Sequence, residues 1–221
     1  KIQRTAKHTR SKIAQRTIAP TMTRIAHIIS TLFHPLFMPL IGLALVYNSC
    51  KYIEYSMDGQ IARITFLTVF IFTILLPALN IYFMAKKGMI SSPQLHKREE
   101  RHLPYLMYTI SFVLLYYFLK PLLLPPVIYL IVLGSIFVSI AALMINFRWK
   151  ISAHMMGIGG ATGTVTGVAM RFSEDLTFLV MGMFLCAGLV GFARLQLNAH
   201  SSSQVYAGFL LSFFSLLIFI V

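Results

Sequence analysis

Apolar runs about 20 residues long, separated by short polar segments, constrain this chain more than any other feature. A hydrocarbon core about 30 Å thick is crossed by roughly 20 residues of helix. Within that core the backbone must satisfy its own hydrogen bonds, which restricts the choices to helices and closed barrels. The runs fall at about 25–47, 61–84, 104–119, 127–147, 154–170, 176–193 and 203–221. They predict an all-α, polytopic membrane bundle of about six to seven transmembrane helices, with 104–119 the shortest span. Composition agrees, because only 11% of the residues are charged and 57% are hydrophobic. A soluble domain carries about 25% charged residues, so here lipid must supply much of the outer solvent.

The formal net charge is +13. In a soluble protein that balance would suggest a nucleic-acid partner, but these cations sit in an arm and in short loops between apolar runs. Anionic membrane lipids and phosphorylated substrates are the partners expected, and nucleic acid is not. Alternating the spans puts 15 of the 19 lysines and arginines at one end of the bundle. That end holds the N-terminal arm, the 85–102 segment, Arg148 to Lys150, and Arg194. The other end holds Lys51, Arg63, Lys120 and Arg171. The positive-inside rule makes the basic end cytoplasmic. Residues 1–24 read as a basic cytoplasmic arm and 25–221 as the transmembrane domain. The arm enters the first span without a small-residue cleavage site, so it reads as an anchor rather than a removable signal.

Several apolar-segment features read as structural. Gly159, Gly163 and Gly167 recur every fourth residue, a stripe that lets a neighbouring backbone approach closely. His34-Pro35 marks a kink in the first span, with His27 near its start. Cys50 and Cys186 lack metal-ligand spacing.

Three polar clusters fall on the basic end: Lys97 to His102, Lys150 to His154, and Arg194 to Gln204. Each joins or opens an apolar helix, at the level of a lipid phosphate. A helix start favours an oxyanion, and a guanidinium binds phosphate through two parallel bonds. Lys150, Lys97, Arg98 and Arg101 are candidate phosphate neutralisers. A neutral imidazole at His200 can attack phosphorus if its other nitrogen is held. Gln204, four residues on, shares its helical face. Ser152 is placed to cap a helix and donate to phosphate, and His154 to protonate a leaving oxygen.

Ser152-Ala153-His154 resembles the serine-glycine-histidine motif of the type 2 phosphatidic acid phosphatase superfamily. Arg194, five residues, then His200 is similar to its third motif, and the order of the motifs is the same. The resemblance covers roughly residues 97–210 and implies a helical membrane lipid phosphatase that requires neither cofactor nor metal. It implies His200 as a nucleophile that forms phosphohistidine, His154 as general acid, and Arg194 and Ser152 as phosphate ligands. The sequence departs from the family at three places. Gln204 stands where the family has aspartate, Ile151 replaces the proline before Ser152, and in the first motif Leu103 precedes Pro104 with Arg101 displaced. An amide can fix the imidazole tautomer but offers no charge to an imidazolium.

Each cluster also has a structural reading. Lys97 to Arg101 can be a plain cytoplasmic loop paired with Glu99 and Glu100. Lys150 can snorkel while Ser152 caps, and Arg194 with His200 can anchor a helix end. The leading expectation is a membrane phosphatase acting on a lipid or polyprenyl phosphate or diphosphate. Its rivals are a lipid-phosphate binding or transport protein of the same fold without turnover, and a scaffold subunit of a membrane complex.

Overall fold

The computed structural model describes residues 21–92, 95 and 98–221, so the arm up to residue 20 and Lys97 lie outside the described residues. The described residues form helices and connecting turns, with no strand among them. Helix α1 covers 21–32, α2 Met38–Ser49 and the short α3 Lys51–Ser56. Next come α4 Gly59–Phe70 and α5 Leu76–Lys86, joined by a π-helical turn at Ile71–Leu75. The remaining helices are α6 His102–Leu119, α7 Pro126–Asn146, α8 Ala153–Phe172, α9 Thr177–Gln196 and α10 Ser202–Ile220.

Proline chemistry sets several of these boundaries. Pro35 disfavours helical geometry at His34, and the first span breaks there into α1 and α2. The Leu36 N–H turns to His34 Nδ1 at 3.4 Å. Pro77 cannot donate to a carbonyl one turn back. Just ahead of it the Leu76 N–H bonds to Ile71 O, and the α4–α5 rod continues through one wide turn. Pro126 starts α7, where a missing N–H costs nothing. Asp58 begins α4 by accepting from the N–H groups of Gln60 and Ile61, both at 2.8 Å.

Among the described residues, five helical segments are long and apolar enough to cross a membrane: Gly59–Lys86, Glu99–Leu122, Pro126–Asn146, Thr177–Gln196 and Ser202–Ile220. The segment expected at 104–119 is thus part of a 24-residue helical rod. The outer surface is apolar: Phe178, Leu185 and Ile218 are 87%, 68% and 74% exposed. Side chains of that kind, spread over the whole outside, fit lipid rather than water. The chain is an integral membrane helical bundle.

Glycine-rich α8 runs through the centre, packed by α2, α9 and α10. Along its glycine stripe, a Cβ added at Gly159 would lie 2.6 Å from the Phe209 carbonyl oxygen, and one at Gly167 would lie 2.9 Å from Ile220. The stripe seats α8 directly on α10. The loops sort into two ends as the alternation of spans requires. At one end Arg98 bonds to the Arg148 carbonyl and Arg101 to the Ile151 carbonyl. At the other the Lys51 N–H meets Glu174, and Arg171 bonds to the Ile220 carbonyl.

Candidate functional site

A cavity of about 960 Å³ opens among the helices at the cation-rich end. Its mouth is lined by Arg101, Lys150, His154, Arg194 and His200, and no carboxylate lines it among the described residues. Three separate stretches of sequence supply these groups, each at or next to the end of a helix.

Arg101 ends the 3₁₀ turn that leads into α6 and is 7% exposed. Its Nε donates to the Leu95 carbonyl at 2.8 Å and its Nη1 to the Ile151 carbonyl at 3.3 Å. These bonds tie two loops together and leave the outer guanidinium edge for the cavity. Lys150, in the α7–α8 loop, donates from Nζ to the Ala199 carbonyl at 3.3 Å. Burial, then the nearby Arg101 and Arg194, hold its ammonium below the usual lysine range. Arg194 comes from the last turn of α9 and donates from Nη1 to Ser30 Oγ at 3.2 Å. Its Nε–H is buried with no hydrogen-bond partner, an arrangement that costs free energy until an acceptor arrives.

The α9–α10 loop turns at Asn198, whose φ of 49° is left-handed, a geometry asparagine tolerates better than most residues. This brings His200 inward, to 8% exposure. Gln204 Oε1 accepts the Ser201 N–H at 3.3 Å and lies 3.0 Å from His200 Nδ1. An atom that accepts from a backbone N–H is the amide oxygen, so Nδ1 must carry the hydrogen. The lone pair is then on Nε2. Burial holds the imidazole down at about 4; the Gln204 bond opposes this, while the charges of Arg101, Arg194 and Lys150 add to it. His200 is therefore a neutral base near pH 7.

His154, on the first turn of α8, faces α1. Its Nε2 lies 3.1 Å from the Ser30 carbonyl, which can only accept, so Nε2 bears the hydrogen. Its ring stands edge-to-face against His34, with centroids 5.5 Å apart. Ser30 thus holds Arg194 through its hydroxyl and His154 through its carbonyl. Ser152 behaves differently from the sequence expectation. It is fully buried, is not among the residues lining the cavity, and its Oγ has no partner. The reason is packing: a Cβ added at Gly208 would lie 2.8 Å from the Ser152 carbonyl, so α10 covers this residue.

Sequence reading missed Ser30, Tyr105 and Asn198, which also line the cavity. Asn198 carried a faint signal as a turn former beside His200. Ser30 carried none, because its contacts reach 124 and 164 residues along the chain. Among the described residues, no group of three histidine, cysteine, aspartate or glutamate side chains is placed to hold a metal ion. Chemically, three cations around a neutral imidazole, with one guanidinium N–H unsatisfied, suit a tetrahedral oxyanion with several charges. No family model, curated protein or solved structure matches this chain.

Proposed function

We propose that the chain is a membrane phosphatase that hydrolyses a lipid or polyprenyl phosphate or diphosphate through a phosphohistidine at His200. The observation that carries the reading is the convergence of Arg101, Lys150 and Arg194 on the cavity mouth beside His200, whose Nδ1–H is held by Gln204. The resemblance of Arg194, His200 and His154 to the motifs of the type 2 phosphatidic acid phosphatase superfamily supports it from the sequence. Lys97 belongs to the same proposed set of phosphate ligands. The site is assigned to the cytoplasmic end on the distribution of lysine and arginine.

In the first step His200 Nε2 donates its lone pair to phosphorus, and the bond from phosphorus to the lipid oxygen breaks. The three cations hold the non-bridging oxygens, where charge is concentrated. The departing oxygen takes the Nδ1 proton of His154 in its imidazolium form, which the negative charge of the bound phosphate favours; the ring is left neutral, with its Nε2–H still on the Ser30 carbonyl. Water then attacks phosphorus and releases inorganic phosphate. His200 regains its lone pair, and the proton lost by the water returns to His154.

A release assay on the purified protein with phosphatidic acid and farnesyl phosphate tests this, beside His200→Ala. The wild type is expected to release phosphate and the variant to lose about a thousandfold or more. Release that His200→Ala leaves unchanged would overturn the mechanism. A second reading, a binding or transport protein without turnover, is favoured by the neutral amide at Gln204. Tight phospholipid binding with no release from any substrate would select it.

A further inference from the structure

The cationic mouth accounts for only one end of the cavity. The rest continues between α6 and α7 on one side and α2, α8 and α10 on the other, past Phe112, Val132 and Leu216 to Leu115, Leu119 and Ile128. Arg101 immediately precedes α6 and Leu119 is its last residue. With 18 residues in α6, the cavity reaches about 27 Å from mouth to floor. That is close to the full thickness of a hydrocarbon core, about 30 Å. Leu119 and Ile128 are buried in one apolar cluster with Leu124 and Val127.

Protein interiors contain few voids larger than a water molecule, and an apolar cavity is a poor container for water. The wall is mostly apolar, although Asn80, Tyr105, Tyr108 and Thr164 also line it. The hydroxyls of Ser135, Ser139 and Ser212 are each spent on carbonyls of their own helices, at 2.8, 2.8 and 3.3 Å. With those hydroxyls engaged, most of the wall makes apolar contacts that suit a hydrocarbon chain, which needs no hydrogen bond. Gly160 helps keep the passage open, because a Cβ added there would have no neighbour closer than Ser212 at 3.8 Å.

We infer that the substrate's hydrocarbon chain is housed inside the bundle, in a blind tunnel that ends at Leu119 and Ile128 and so selects for chain length. The occupant is one long chain bearing an anionic head. Its length, greater than one leaflet's share of the membrane, favours a linear isoprenoid or a long single acyl chain over a diacyl lipid. The chemistry of the head rests on the phosphatase reading above; the location of the chain is tested separately.

The decisive experiment uses the full chain in nanodiscs with geranylgeranyl monophosphate carrying a diazirine at the far end of its chain. After irradiation, peptide mapping is expected to find the label on Leu115, Leu119 or Ile128. Label confined to lipid-facing side chains such as Tyr117 and Phe178 would overturn the tunnel. Phosphate release is read on the same samples. Tunnel labelling without release would uphold the tunnel and defeat the phosphatase reading, and release without tunnel labelling would do the reverse. Gly160→Leu supplies a second test, since a side chain at that level blocks the lower passage. It is expected to weaken geranylgeranyl phosphate binding at least tenfold relative to geranyl phosphate, and an equal effect on both would overturn the inference. Competition by hexadecyl phosphate, run in parallel with geranylgeranyl phosphate, identifies the chain type by which competes more tightly.

Discussion

The His200 imidazole lies where a cation is poorly solvated and three other cations stand nearby, which is why it titrates at about 4 rather than near the ordinary value of 6.5. Between those two values the unfolded chain binds a proton that the folded chain refuses. Folding stability therefore falls as pH drops from about 6.5 to about 4, and is insensitive to this group above 6.5. Thermal unfolding of the wild type and of His200→Gln over that range checks the point, with a shallower acid loss expected in the variant. The same environment keeps Nε2 unprotonated well into mild acid, so the acid limb of turnover is expected below about pH 5. Gln204→Glu preserves the chain length that lets Oε1 accept from both Ser201 and His200, and adds the missing charge. A carboxylate in contact raises an imidazole by about one unit or more. The variant's acid limb is expected to move toward neutrality by that amount, with turnover higher by about tenfold, as measured by pH–rate profiles of both proteins.

The helices were largely legible in the sequence because a membrane span announces itself by length and hydropathy, and proline marks its ends. Runs read at 127–147 and 203–221 correspond to Pro126–Asn146 and Ser202–Ile220. The first run, by contrast, is two helices, and the π-turn at Ile71–Leu75 left no trace in hydropathy, which is blind to hydrogen-bond register. Ser152 and Ser30 show the same limit at the site. Local spacing suggested Ser152 as a ligand, yet α10 covers it; Ser30 gained its place only through folding. The α8–α10 contact offers a sharp check on the element scale. Gly159→Ala would drive a methyl into the Phe209 carbonyl, whereas Gly160→Ala meets only ordinary contacts near 3.8 Å. The first is expected to cost about 1–3 kcal/mol and the second under about 1 kcal/mol. Thermal unfolding of the two variants in one detergent measures the difference.

Across the whole molecule, the one-sided charge has two separable causes. Arg101, Lys150 and Arg194 line the cavity and are held there by specific bonds. Arg24, Lys86 and Lys87 are not among the residues lining that cavity and lie exposed at the ends of α1 and α5. With the five candidate site cations Lys97, Arg98, Arg101, Lys150 and Arg194 set aside, the lysines and arginines still divide 10 to four in favour of the same end, and loop cations near span ends are those that orient a membrane protein. The expected outcome is a cytoplasmic mouth. Single cysteines at Arg148, on the cationic end, and at Tyr55, on the opposite end and 83% exposed, test it in intact cells. The native thiols interfere little, because Cys50 is buried and Cys186 lies within α9. A membrane-impermeant maleimide is expected to label Tyr55→Cys from outside and to reach Arg148→Cys only after the membrane is opened. The reverse pattern would place the mouth on the outer face, and the assignment of residues 1–24 to the cytoplasm would reverse with it.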